Sequence, residues 1–189
     1  MVGPSAPFPL IDTLHRMHKG VTEALSASYV EAAAVCLNDA GDPPAHLTVQ
    51  ADGKAHERYL ASWPTPTDRI RRSWNNLEDA TRDGAYGVAL AASECCLGYV
   101  AVRRAETKTG ADYYLSSMAG SVEADDADLD LEGTLRLEVS GMLRCQTEAA
   151  LARRVRQKQR QTERGTSSLP AIVGVVAFDL RRIVLRQSQ

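Results

Sequence analysis

The 189-residue sequence predicts an α/β fold with a mixed sheet flanked by helices, and three observations predict it. Helical periodicity dominates residues 10–38, 69–95 and 147–165, and short β-prone runs fill the intervals between them. The run "LPAIVGVVAFDL", residues 169–180, is apolar at nearly every position, as in a strand covered on both faces. From residue 69 onward the order is therefore helix, three strands, helix, strand, which calls for a mixed sheet between helices.

Each element has a local reason. Leu14, Met17, Val21, Leu25, Val30 and Leu37 keep loosely helical spacing until "NDAGDPP" stops the first helix. "AHLTVQADGKAHERYLASW" alternates on both sides of Asp52-Gly53, a two-residue hairpin signal. Ile70, Trp74, Leu77, Thr81, Gly84, Val88, Ala91 and Cys95 then recur every three or four residues, predicting one long amphipathic helix. "LGYVAVRR", "ADYYLSS" and "TLRLEVSGML" are strand-like, the first two joined by a turn at Thr107 to Gly110. Thr147 is placed to cap the next, basic helix, and Gly165 to end it. "RRIVLRQ" is expected to extend the sheet at its edge. Two pieces follow: an N-terminal helix and hairpin over residues 1–64, and an α/β core over residues 65–189.

Composition excludes several classes. The four cysteines lack the paired spacing of a zinc site, and Cys95-Cys96 falls in a helical pattern where thiols serve as small apolar residues. His15 and His18 have a helical spacing but no third partner, so a solvated face is expected. No phosphate-binding glycine loop is present. The start "MVGPSAPFPLI" has no leader-like charge pattern and no apolar run reaches ~18 residues. A cytoplasmic protein with no membrane contact is the expectation. The net charge of −2 hides an asymmetry. Residues 121–133 hold six acids and no base, whereas residues 141–189 hold ten Arg or Lys against three acids. The first reads as an exposed acidic loop, the second as a surface for polyanions.

Two acids interrupt this scheme: Asp112 in "GADYY" and Glu138 in "LEVSG". Strict alternation puts Leu135, Leu137 and Val139 on one face and Arg136, Glu138 and Ser140 on the other, so Glu138 alone reads as a solvated residue of a half-exposed strand. Element order changes that reading. An Asp at the start of the second strand and a Glu in the third resemble the PD-(D/E)XK nuclease superfamily, the restriction-endonuclease-like fold, over residues 69–180.

The resemblance implies a restriction-endonuclease-like core hydrolysing nucleic-acid phosphodiester bonds, with DNA the expected substrate and prokaryotic defence or DNA processing the expected setting. It implies that Asp112 and Glu138 bind Mg²⁺ (or Mn²⁺), and that Glu78 on the preceding helix adds a third acid. Taken on its own residues, Glu78 reads first as an acid answering the helix dipole or Arg82. The sequence departs from the motif at Ser140, where the superfamily has lysine. Lys158 on the basic helix continues the stripe Leu151, Val155, Lys158 and is the leading replacement; Lys108, four residues before Asp112, competes. Arg153, Arg154 and Arg156 would contact the phosphate backbone. Of Tyr113 and Tyr114, one is expected in the core and the other free for a base or sugar. The missing lysine keeps a second expectation open: a catalytically silent member of the fold that binds nucleic acid, a protein partner or a second copy of itself.

Overall fold

The structure, a computed structural model, describes residues 5–9, 11–52, 54–107, 109–121, 133–164 and 167–188. Gly53, Lys108, Gly165 and most of the acidic run lie outside the described residues. The fold is α/β: one mixed eight-stranded sheet flanked by helices. The strands are β1 (Ala6–Pro7), β2 (Ala45–Ala51), β3 (Glu57–Ala61), β4 (Tyr99–Arg104), β5 (Tyr113–Ser117), β6 (Leu135–Met142), β7 (Ala171–Ala177) and β8 (Arg182–Ser188). Their order across the sheet is β1-β3-β2-β8-β7-β6-β5-β4, with β6 parallel to β7 and β2 parallel to β8. The helices are α1 (Glu23–Asp39), α2 (Asp68–Ser73), α3 (Leu77–Ala92), the single turn α4 (Met118–Ser121) and α5 (Glu148–Glu163).

β7 is buried at every position and shows how the layers are filled. Ile172 and Val176 face the main core beneath α1 and α3, while Val173, Val175 and Ala177 face a smaller cluster with Leu151 and Val155 of α5. The N-terminal hairpin enters this same sheet through β2, which pairs with β8.

Four expectations about elements are corrected. The first helix is divided into a 3₁₀ turn (Ile11–Arg16) and α1, because the intervening chain crosses the free edge of β4. There Gly20 N donates to Ala101 O at 3.0 Å. His18, expected on a solvated face, is fully buried; its Nδ1 accepts from Ala101 N at 2.9 Å and its Nε2 lies 3.0 Å from Glu94. The long helix is likewise two, α2 and α3, because Asn76 caps a new start by accepting from Glu78 N. The β2–β3 connection is longer than two residues, since the last register pair is Val49 with Glu57. Asp52 instead accepts from Gln187 N and pairs with Arg186 at 2.9 Å. Finally, β8 is internal, between β2 and β7. Thr147 caps α5 as expected, accepting from Ala150 N at 3.1 Å.

Candidate active site

The site exists because two strands part. β5 and β6 share three register pairs, Tyr113 with Leu137, Tyr114 with Arg136 and Leu115 with Leu135. β6 continues beside β7 to Met142, so from Glu138 onward its other edge has no strand alongside among the described residues. Into that gap opens a cleft of about 560 Å³, walled by the first half of α3, by β6 and by α5. A second hollow, about 550 Å³, lies toward Arg104, the loop after β4 and the end of α5. Asp112 and Glu138 line both.

Asp112 stands one residue before the Tyr113–Leu137 pair, which sets it beside Glu138. Its Oδ2 accepts from Val139 N at 2.7 Å, satisfying one donor of the unpaired β6 edge, and its Oδ1 accepts from the Tyr86 hydroxyl at 2.8 Å. Burial and the Asp112 charge push the Tyr86 phenol above its ordinary range, so it stays protonated and donates.

Glu138 is not on a half-exposed face. α5 covers the polar side of β6, and Arg136, Glu138 and Ser140 are all buried. A carboxylate there needs compensation. Lys158 supplies it, with Nζ 2.6 Å from Glu138 Oε1. Leu151, Val155 and Thr162 are the buried residues of α5, and the same stripe aims Lys158 inward. Burial pushes the Glu138 carboxyl above the ordinary carboxylate range; the Lys158 hydrogen bond opposes the shift and the Asp112 charge adds to it.

The remaining expected residues divide. Glu78 lines the α3 wall, exposed, and joins no cluster: among the described residues no group of three or more His, Cys, Asp or Glu side chains is disposed to hold a metal. Ser140 accepts from Arg154 Nε at 2.9 Å, so Arg154 also lines the cleft. Arg153 and Arg156 are exposed on α5 and line neither hollow. Lys108 lies outside the described residues. Tyr113 and Tyr114 are both buried, which corrects the expectation that one would be free.

Asp112 and Glu138 are the side chains here that could hold a hard divalent cation, which takes few protein carboxylates and keeps several waters. Asp112 and Glu138 line one cleft, and their mutual repulsion is a cause of the Glu138 shift. No sequence motif marks Tyr86 or Arg104. Tyr86 had one visible signal, as a hydroxyl-bearing residue in the otherwise apolar run "GAYGVALAA".

No protein-family model, curated protein or solved structure matches the chain.

Proposed function

We propose that the chain is a divalent-metal-dependent nuclease with a divergent restriction-endonuclease-like core. The observation that carries this reading is the meeting of Asp112, Glu138 and Lys158, from a strand end, a strand and a helix, in one open cleft. Asp112 and Glu138 would hold Mg²⁺ or Mn²⁺, which supplies charge neutralisation at phosphate and a more acidic bound water. Tyr86 orients Asp112. Lys158 favours the ionised form of Glu138 and would carry positive charge to the place where the scissile phosphate gains negative charge, which is the role the motif lysine would have taken. Arg154, held by Ser140, lies farther along the same wall and suits an adjoining phosphate.

A second reading is favoured by one feature. Lys158 already pairs with Glu138, and both Asp112 oxygens already accept hydrogen bonds, so each carboxylate has partners without a cation. In this reading the chain binds nucleic acid, or a protein, and does not cut.

Purified protein incubated with plasmid DNA, single-stranded DNA and RNA, with Mg²⁺, with Mn²⁺ and with chelator, separates the two. Cleavage that needs metal and falls about a thousandfold in both Asp112→Ala and Glu138→Gln supports the nuclease, since metal stabilisation is worth several kcal/mol. Cleavage surviving both substitutions removes this site. Binding with no cleavage under any metal establishes the second reading.

A further inference from the structure

The second hollow contains an arginine, exposed at the end of β4, that aromatic rings hold in place and that no carboxylate pairs with among the described residues. Arg104, at the end of β4, lies with its guanidinium carbon 4.5 Å from the Tyr86 ring centroid and 4.9 Å from that of Tyr113. Its Nη1 donates to the Tyr29 hydroxyl at 2.8 Å and to the Tyr113 hydroxyl at 3.0 Å, and those hydroxyls also bond each other. All three rings are buried. The guanidinium is thus fixed in plane and orientation by groups from α1, α3 and β5.

The fixing consumes only part of its capacity. A guanidinium has five N–H donors; the two on Nη1 are used, and those on Nε and Nη2 have no acceptor among the described residues. No carboxylate lies within ion-pair distance of Arg104 among the described residues. The neighbouring acid that could have served, Glu106, is bound by Arg103 and by the Tyr114 hydroxyl. A rigid, unpaired fork is the form that takes an anion with two parallel hydrogen bonds.

We infer that Arg104 is a phosphate-binding residue, taking a phosphodiester that flanks the one at Asp112 and Glu138. Arg164, exposed at the end of α5, lines the same hollow and adds a second cation. Arg154 and Lys158 lie in the first cleft and Arg104 and Arg164 in the second, so a single strand crossing the carboxylate pair meets cations on both sides. This inference rests on the nuclease reading for its substrate, but it concerns binding and not the chemical step.

The test measures anisotropy of a short fluorescein-labelled single-stranded oligonucleotide across a salt series, with chelator present, for wild type, Arg104→Ala, Arg104→Lys and Arg164→Ala. Arg104→Ala is expected to weaken binding about tenfold at low salt and to make the slope of log K against log salt less negative by about 0.7, the loss of one phosphate contact. Arg104→Lys should keep most of the slope and lose part of the affinity, because a point charge replaces the fork. Thermal unfolding of each variant shows which are folded; if Arg104→Ala is not, Arg104→Lys and Arg164→Ala carry the comparison. Unchanged affinity and slope in the folded variants, with wild type binding and cutting, overturns the Arg104 assignment and leaves the nuclease standing. A wild type that neither binds nor cuts overturns both. Slope loss with no cleavage by wild type supports the phosphate site within a non-cutting protein.

Discussion

α3 and α5 cover opposite faces of β6 and do so by different physics. α3 buries ten residues, all apolar or aromatic and mostly Ala or Gly, and approaches its neighbours at backbone distance. A Cβ on Gly84 would lie 2.8 Å from Ala33 N of α1, and one on Gly141 of β6 would lie 2.4 Å from Thr81 O of α3. α5 buries Leu151, Val155 and Thr162, and lines the cleft with Arg154 and Lys158. One helix locates the cleft; the other charges it. Substitutions in the α3 seam should therefore act through stability and, on the nuclease reading, those at Lys158 and Arg154 through cleavage.

The largest expected effect breaks the α3 seam. Gly84→Val forces side-chain carbons into the α1 backbone and should cost about 3 kcal/mol, an overpacking loss at the top of its usual range. A chain of this size would then melt about 6–12 °C lower by calorimetry. A variant as stable as wild type would mean α1 and α3 are not in backbone contact.

Next comes the charge on α5. On the nuclease reading, Lys158→Met should lower kcat/KM for cleavage about a hundredfold, while oligonucleotide affinity loses no more than one phosphate contact. It also acts through pH. The Glu138 carboxyl is already raised in the folded state, and Lys158 restrains it, so removing the lysine raises it further. A raised group contributes stability that is complete below the ordinary carboxylate pKa of about 4.3 and is lost as pH rises through the folded value. Lys158→Met should therefore be destabilised relative to wild type mainly above the raised Glu138 value, and the acid limb of its activity should move to higher pH. Adding Glu138→Gln should recover the stability but not the cleavage. A pH profile that does not move would separate Lys158 from Glu138.

A smaller effect tests whether α3 touches the chemistry at all. Tyr86→Phe keeps the ring under Arg104 and deletes only the hydroxyl on Asp112, so metal affinity should fall about tenfold, as for an outer group that orients a ligand. Titration of activity against Mg²⁺ measures it. The smallest effect belongs to the outward face of α5: Arg153→Ala with Arg156→Ala should change affinity and cleavage less than twofold, since neither residue lines the hollows. A large loss there would show that the polyanion follows the outside of α5.

Much of this was legible in the sequence where one-dimensional pattern and local chemistry agree. The unbroken apolar run of β7, the Thr147 cap and the stripe that carries Lys158 inward are local signals, and the structure has each of them. What escaped depends on partners distant in the chain. "RRIVLRQ" resembles an edge because of its arginines, but each of these has a partner elsewhere in the chain. Arg181 donates to Ala40 O, Arg182 pairs with Glu148 and Arg186 with Asp52. His18 looks solvated because its partners, Glu94 and the β4 edge, are some eighty residues away. The same holds for Arg104, whose tyrosines come from three separate elements.

The placement of β8 sets an order of events during synthesis. The hairpin of β2 and β3 is made early, yet among the described residues its ladder to β4–β7 runs through β8, Arg182–Ser188. Until that strand leaves the ribosome, β2 has an open edge, and so does β7. Two halves of one sheet thus wait for a late common neighbour, and a nascent chain stalled before residue 182 should be the species most prone to pair with others.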